Sequence, residues 1–224
     1  MQSNESSYRS IFKSTFLFGF VQVFNIVMKA AINKDTEVSQ MLMKLVSFYR
    51  LSTKVYDSMV AVRKEVEMPD AYMSLMCYRY SDIIYRSEIE PGALDIEIPN
   101  FILQPLLENS LMHGLKDRRY QGTIILKIYR NEQDKNELNI WLIDDGIGIP
   151  DDKMAELNAY NAKDSEALYR VQTRTEGDRT HLGVINVISR LKLYYQENAE
   201  VIYMRNETGG TTVKIKIKTA SEET

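Results

Sequence analysis

The chain has 224 residues, of which 44% are hydrophobic and 26% are charged, with 28 Lys and Arg against 31 Asp and Glu. This composition excludes a disordered or fibrous chain, and a net charge of -3 leaves no basic excess of the kind that general nucleic-acid binders use. A single cysteine, Cys77, excludes an internal disulfide and a cysteine-rich zinc site, and it fits a reducing, cytoplasmic setting.

The first apolar segment covers residues 14–28, all uncharged. It contains Gln, Asn and Gly and is shorter than the roughly 20 apolar residues that a membrane-spanning helix needs, so no membrane span is expected. A signal peptide is the less favoured alternative. Phe12, Phe16 and Phe20 recur every four residues, which is typical of one stripe of an amphipathic helix. Because this stripe has no core of its own, we expect a second copy of the chain to cover it.

The hydrophobic pattern stays helical up to residue 80. A second helix is expected after Asp35, and a third over residues 69–80, where Pro69 suits the first turn. Many of the eleven methionines lie in this region, where plain core packing accounts for them. The apolar positions of the second helix are spaced by three and four residues: Val38, Met41, Leu42, Leu45, Phe48 and Tyr49.

Beyond residue 80 the pattern alternates, which predicts strands. Residues 140–143 are consecutively apolar, as in a strand covered on both faces. A helix is expected over residues 99–114, with a local distortion or a late start at Pro105 and with Gly114 at its C′ position. The polar residues 150–180 are expected to form a functional loop or lid. The strands are expected at 83–89, 123–130, 138–144, 201–205 and 212–218, and a last helix at 182–196.

The most informative motif is Asp144-Asp145-Gly146-Ile147-Gly148, at the exit of a buried strand. Two glycines let the backbone pass close to a flat ligand, and the carboxylate of Asp144 is able to accept a hydrogen bond from an exocyclic amine. This chemistry suits adenine. Taken alone the motif is weak, because Asp-Gly is also common in turns, and a simple loop has about equal weight.

A second motif lies on the helix before these strands. Glu108, Asn109 and His113 are polar groups on an otherwise apolar element, and Asn109 and His113 share one face. The carbonyl oxygen of an asparagine is a hard ligand suited to Mg²⁺. For His113 the alternative is a helix-end residue that interacts favourably with the helix dipole.

Two further motifs carry glycines at the start of an element. Gly183 opens the last long helix, where exposed backbone N–H groups are suited to phosphate oxygens, and arginines in the preceding loop either add charge or are simply solvated. Gly209-Gly210-Thr211 leads into the last strand, and its alternative is a plain hairpin turn.

Together and in this order, the four motifs resemble the N, G1, G2 and G-T boxes of the GHKL (Bergerat) ATP-binding fold shared by histidine kinases, DNA gyrase and Hsp90. The fold it implies is an α/β sandwich, a mixed sheet covered by helices. Residues 103–114 are more closely similar to the N box of LytS/YesM-type sensor histidine kinases, and 37–51 to the second dimerisation helix of that family. The resemblance therefore implies a helical dimerisation region at 1–80 and an ATP-binding domain at 81–220.

The resemblance also implies roles for individual residues. Asp144 would bind the adenine amine, with Gly146 and Gly148 shaping the pocket floor, and Asn109 would be the Mg²⁺ ligand. Glu108 is the candidate catalytic residue, either orienting a nucleophile or supporting the metal. The remaining positions that match nucleotide-contacting boxes are His113, Leu182, Gly183, Asn186 and Thr211.

The function that the resemblance implies is Mg-ATP-dependent phosphoryl transfer in a two-component system, by a homodimer with a response regulator as partner. In that family a histidine in the first helix accepts the phosphoryl group. The best local match here is residues 14–19, without a histidine, and no histidine precedes His113. The alternative is therefore an ATP-binding dimeric signalling module that does not phosphorylate itself.

Overall fold

The computed structural model describes residues 58–162 and 182–219, together with Met41, Lys44, Leu45, Phe48 and Leu168. The chain divides into two compact units, 1–50 and 51–224. In the first unit, Met41, Leu45 and Phe48 are helical and buried, which confirms the spacing expected at these positions of the second helix. The phenylalanine stripe, the residue 14–28 segment and the arginines before Gly183 lie outside the described residues.

The second unit combines helices and strands. Its helices are α1 (Val62–Glu65), α2 (Glu67–Arg79), α3 (Leu103–Asn109), α4 (Asp151–Ala159) and α5 (Leu182–Tyr195). Its strands are β1 (Met59–Ala61), β2 (Ile83–Ile89), β3 (Glu97–Pro99), β4 (Gly122–Arg130), β5 (Glu137–Asp144), β6 (Ala199–Arg205) and β7 (Thr211–Lys218). No helix within the described residues is both long enough and apolar enough to cross a lipid bilayer.

Five strands form one mixed sheet in the order β2-β4-β5-β7-β6, in which only β2 and β4 run parallel. One face of the sheet packs on α3, where Leu103 and Leu107 line the same small internal space as Leu126, Ile140 and Ile215 of the strands. A separate two-stranded ribbon pairs β1 with β3. The mixed sheet with helices packed on it confirms the expected α/β class.

Strand β7 shows how the alternating pattern sets the core. Val213, Ile215 and Ile217 are buried, whereas Lys214 is half-buried and Lys216 and Lys218 are exposed. Successive side chains of a strand point to opposite faces, so this alternation fixes which face meets the helices. The strand expected at 212–218 with one solvent-exposed face is confirmed.

Strand β5 corrects one expectation. Ile140 and Leu142 are buried, but Trp141 and Ile143 are only half-buried, so the strand is not covered by elements on both faces. The exposed side of Trp141 is shielded by long side chains: the Lys214 ammonium lies 4.1 Å from its ring centroid, and the Tyr129 ring meets it edge-on at 5.7 Å. Cation–π and edge-to-face contacts thus take the place of a second layer.

Helix α3 starts later than residue 99, in agreement with the effect expected of Pro105. Residues 97–99 belong to β3, and Phe101, with a φ of 60°, makes the turn into the helix. After Asn109 the helix widens into a π-helix, Ser110–Leu115. The expected C′ role of Gly114 is wrong, because Gly114 lies inside this π-helix and the left-handed residue that ends the following short 3₁₀ turn is Arg119, with a φ of 58°.

The segment expected as a loop from residue 150 begins with a helix instead. Helix α4 follows Pro150 and places Asp151 and Asp152 in its first turn, where carboxylates interact favourably with the helix dipole. Leu157 is its one buried residue, which explains why the sequence shows no helical period there. Residues 163–181, apart from Leu168, lie outside the described part.

Two asparagines attach the end of α4 and the short turn after it to strand β6. The side chain of Asn158 donates to the carbonyl oxygen of Tyr203 at 2.9 Å and accepts from its N–H at 2.8 Å. Asn161 bonds the same two backbone groups of Val201, accepting at 3.0 Å. Each carboxamide thereby satisfies a donor and an acceptor of one residue of β6.

The buried carboxylate of Glu65, at the end of α1, caps the start of α3. Its two oxygens accept three backbone N–H bonds, from Phe101 at 2.9 Å, Ile102 at 2.8 Å and Leu103 at 3.0 Å. Burial raises the pKa of Glu65 to about 7, although these three bonds and the charge of Arg190 oppose the rise. The first N–H groups of a helix have no hydrogen-bond partner within the helix, so the Glu65 carboxylate supplies the acceptor that those of α3 would otherwise lack.

The raised pKa of Glu65 predicts how stability changes with pH. The folded protein holds the proton more tightly than an ordinary glutamate, with its pKa of 4.5, so the free energy of unfolding falls as pH rises from 4.5 to about 7. The full effect is up to about 3 kcal/mol. We expect Glu65→Gln to lack this part of the pH dependence when urea unfolding is compared at about pH 5 and about pH 8. Equal pH dependence in both proteins would contradict the assignment.

Candidate functional site

Asp144, the last residue of β5, connects three of the four sequence motifs. Its carboxylate is buried, with 3% of the residue exposed. One oxygen accepts from the Ser110 hydroxyl at 2.9 Å, and the other accepts from the N–H groups of Gly146 at 3.0 Å and Thr211 at 3.2 Å. The structure therefore brings the helix of the second motif, the glycine loop and the start of β7 to one carboxylate.

The hydrogen bonds of Asp144 leave room for a ligand. A carboxylate offers about four acceptor sites, and the described residues use three of them, which leaves one for an external donor. Burial raises the pKa of Asp144, and the neighbouring charge of Asp145 adds to the rise, while the three hydrogen bonds lower it. A buried acceptor with one remaining site is suited to an amine on a flat, largely apolar ligand.

Glycines allow the backbones around Asp144 to pack against each other. A Cβ added to Gly146 would lie 2.5 Å from the carbonyl oxygen of Gly114, and one added to Gly210 would lie 2.1 Å from that of Asp144. Gly148 has a φ of 75° and lies equally close to the hairpin between β6 and β7. Gly114 itself packs on the carboxylate of Asp144, at 3.1 Å from its would-be Cβ. This close approach explains why a residue without a side chain occupies position 114.

Two residues of the site escaped the sequence reasoning. Ser110 donates to the Asp144 carboxylate, and Asn206 donates from its carboxamide to the Asp144 carbonyl oxygen at 2.8 Å. Ser110 directly follows Asn109, and a polar residue on an otherwise buried helix face was the available signal. Asn206 lies in an ordinary turn sequence, and no local pattern marks it.

Asn109 and Gly183 lie next to each other. A Cβ added to Gly183 would lie 3.9 Å from both the oxygen and the nitrogen of the Asn109 carboxamide. Asn109 ends α3 and is half-buried, while Gly183 is the second residue of α5. Leu182 begins α5, and Asn186 is half-buried about one turn further on. The second and third motifs therefore meet at a helix N-terminus, where unpaired N–H groups favour anions.

Glu108 and His113 are the remaining candidates. Glu108 is half-buried and accepts a hydrogen bond from the Gln104 carboxamide at 2.8 Å, and burial raises its pKa. His113 is exposed in the π-helix. Within the part of the chain that the structure describes, no three His, Cys, Asp or Glu side chains gather as a metal-binding group.

Comparison with known families agrees with this arrangement. Residues 95–221 match the family described as histidine kinase-, DNA gyrase B-, and HSP90-like ATPase, and residues 9–84 match the histidine kinase family. The sensor protein LytS of Oceanobacillus iheyensis is 30% identical over 201 residues, which cover 89% of this chain and 32% of LytS. YwpD of Bacillus subtilis is 25% identical over 214 residues, covering 95% of this chain and 69% of YwpD.

The solved catalytic domain of the histidine kinase ThkA, in a nucleotide-free form, is similar in fold, with a TM-score of 0.50 and 13% identity over 72% of this chain and 97% of that domain. The chain spans about a third of the length of the LytS relative. The fold, the order of the four motifs along the chain and the family match all indicate the same family. The chain therefore belongs to the histidine kinase-, DNA gyrase B- and HSP90-like ATPase family and is related within it to the LytS-type sensor histidine kinases.

Proposed function

We propose that the chain is the Mg-ATP-binding kinase region of a two-component sensor histidine kinase. The observation that carries the proposal is the buried Asp144 carboxylate, which keeps one acceptor site while Ser110, Gly146 and Thr211 hold it in place. That site is suited to the exocyclic amine of adenine, and Gly146 and Gly148 keep side chains away from the ring. The family match supports the same nucleotide.

The phosphate end of the nucleotide is proposed to lie between α3 and α5. Gly183 and Asn186 belong to the first turns of α5, whose N–H groups attract phosphate oxygens, and the neighbouring Asn109 offers a hard oxygen ligand. These residues fit Mg²⁺, which supplies charge compensation between phosphates. Glu108, the neighbour of Asn109 at the end of α3, would orient a nucleophile or support the metal, and burial raises the pKa of its carboxyl group.

Gly183 offers a test that leaves the fold intact. A Cβ at this position meets Pro105 at 3.6 Å and Asn109 at 3.9 Å, which are ordinary contacts, so Gly183→Ala is expected to keep or slightly raise the free energy of unfolding, by about 0.5 kcal/mol. The methyl group would however stand where phosphate oxygens approach. We expect calorimetric titration to show an affinity for Mg-ATP at least about tenfold weaker than wild type. An unchanged affinity of Gly183→Ala for Mg-ATP would show that the phosphates do not bind at the start of α5.

The wider role rests on the relatives. As in a LytS-type sensor, we propose a homodimer formed through the N-terminal helices, a response regulator as the phosphoryl-accepting partner, and a cytoplasmic position next to a membrane-associated sensor. The division into a dimerisation region at 1–80 and an ATP-binding domain at 81–220 remains a prediction. The proposed roles of His113, Leu182 and Thr211 at the nucleotide also remain predictions.

A non-catalytic signalling module is the second candidate, and a specific observation favours it. The two histidines of the chain are His113 and His181, so the segment that resembles the acceptor helix contains none. Nucleotide binding would then change the shape of a dimer rather than start a phosphorelay.

Incubation with γ-labelled ATP separates the two candidates. We expect no acid-labile, base-stable phosphoprotein, because the segment that resembles the acceptor helix, residues 14–19, contains no histidine. The same preparation must bind Mg-ATP by calorimetry, which serves as the positive control. A phosphohistidine on His113 or His181 would overturn the non-catalytic candidate.

A further inference from the structure

Residues 59–65 attach the chain that precedes the domain to the start of α3. Strand β1 pairs antiparallel with β3, and the N–H groups of Val62 and Arg63 donate to the carbonyl oxygens of Ile96 at 2.9 Å and Leu94 at 3.0 Å. Glu65 then closes the attachment through the three N–H groups at residues 101–103. Strand β1, the first two residues of α1 and the Glu65 side chain are thus bonded to residues 94–103.

Helix α3 depends on this attachment because it is poorly equipped to start itself. It has only seven residues, and the apolar side chain of its N-cap residue Ile102 cannot accept hydrogen bonds from the first N–H groups of the helix. Phe101 holds a left-handed backbone, which a bulky residue adopts only when its surroundings enforce it. Glu65 supplies what these residues lack, from a position 36 to 38 residues earlier in the chain.

Arg190 of α5 contacts the turn at residues 100–103, where α3 begins; this turn is called the α3 corner. Its guanidinium donates to the carbonyl oxygen of Asn100 and lies 5.8 Å from the centroid of the Phe101 ring, and its charge lowers the pKa of Glu65. The corner is therefore held from α1 by a carboxylate and from α5 by a guanidinium. Both α3 and α5 bear on the proposed nucleotide site, so this corner fixes their relative position at the end away from Asn109 and Gly183.

Gln104 links the start of α3, near Glu65, to Glu108 one turn further along the helix. It is 1% exposed and lines the same small cavity as Glu65, and its carboxamide nitrogen holds Glu108 at 2.8 Å. Its carboxamide oxygen has no hydrogen-bond partner among the described residues, so only packing and the bond to Glu108 fix its position. A movement at Glu65 would therefore reach Glu108 and Asn109 through the first two turns of one helix.

We propose that Glu65 is a positioning residue for the Mg-nucleotide: by capping α3 it sets where Asn109 and Glu108 lie, and so couples the segment 59–65 to nucleotide affinity. The proposal rests on the nucleotide function proposed above. A displacement of α1, transmitted along the chain from the preceding residues, would loosen α3 and weaken binding first at Asn109, because the Asp144 carboxylate is held by the N–H groups of Gly146 and Thr211 as well as by Ser110.

The test compares affinity for Mg-ATP with affinity for ATP in EDTA, in wild type, Glu65→Gln and Ile217→Ala. Ile217 is fully buried opposite Leu138, at the end of β7 away from Thr211, and it is not among the residues that line the internal space with Leu103 and Leu107, so its replacement destabilises the fold away from the proposed nucleotide site. Glu65→Gln is expected to weaken Mg-ATP binding about tenfold and metal-free ATP binding by less than about threefold, because the residue that it displaces, Asn109, is the one that would hold the metal. Ile217→Ala is expected to lower the Tm and leave both affinities unchanged.

Each other outcome has a distinct meaning. Mg-ATP affinity of Glu65→Gln equal to wild type, or an equal loss with and without metal that Ile217→Ala reproduces, would overturn this inference while leaving nucleotide binding intact. Failure of wild type to bind ATP would overturn the proposed function and this inference with it. If Glu65→Gln does not fold, Glu65→Asp decides on the same criteria, because it keeps the charge and shortens the reach of the cap by one methylene.

Discussion

Asp144→Asn is expected to lower ATP affinity about 100-fold, which corresponds to about 2.7 kcal/mol. Asparagine has nearly the shape of aspartate, and its oxygen is able to keep the bonds from the N–H groups of Gly146 and Thr211, while the Ser110 hydroxyl rotates to accept from the new NH₂ group. The fold should therefore persist. What disappears is the remaining acceptor site and the charge that strengthens a bond from the adenine amine.

Asp145→Asn is the matched control for this measurement. Asp145 is the next carboxylate along the chain, but it accepts from the Thr123 N–H at 2.8 Å and lies 3.5 Å from Arg118 in an ion pair. An asparagine oxygen keeps the first bond, and a half-exposed ion pair contributes little. Calorimetry should give an ATP affinity within about threefold of wild type for Asp145→Asn. Similar losses in the two variants would assign adenine binding to something other than Asp144.

Gly210→Ala is expected to destabilise the fold by about 4 kcal/mol or more. Its Cβ would lie 2.1 Å from the carbonyl oxygen of Asp144 and 2.8 Å from the backbone nitrogen of Gly146, and backbone atoms cannot swing aside as a flexible side chain does. Relief requires β7 to separate from the end of β5, which breaks the bond from the Thr211 N–H to the Asp144 carboxylate. Both stability and nucleotide affinity should therefore fall.

Gly209→Ala, one residue earlier, separates this clash from general effects of the hairpin. No atom lies within 4 Å of its would-be Cβ, so the cost is that of a left-handed backbone at φ 85°, about 1 kcal/mol. Thermal and urea unfolding of both variants measure the difference. A loss for Gly210→Ala no larger than that for Gly209→Ala would show that the two backbones separate readily.

The strands and most of the adenine end of the site were predictable because their signals are local. The alternation of Val213, Ile215 and Ile217 with lysines fixes β7, and a carboxylate followed by two closely spaced glycines marks the loop after β5. Such patterns depend on residues one to four positions apart, which a sequence displays directly. Their grouping at Asp144 followed from the resemblance rather than from the spacing.

The errors have a common physical origin in contacts between distant residues. Gly114 was expected to end a helix, whereas its lack of a side chain serves its packing on Asp144, thirty residues later. Trp141 was expected beneath a second layer, whereas Lys214 and Tyr129 from neighbouring strands cover it. The cap on α3 comes from Glu65, far outside the local signals that mark a helix start. Helix α4 was missed because it buries little and so lacks an apolar stripe.

The bonds of Asn158 and Asn161 to β6 bear on how this domain behaves at high concentration. Strand β6 is an edge of the five-stranded sheet, and an edge strand with open N–H and C=O groups invites a strand from another molecule. Here the two carboxamides already occupy those groups on Val201 and Tyr203. Strand addition along β6 would first have to break four hydrogen bonds, so this edge resists aggregation and leaves self-association to other surfaces of the chain.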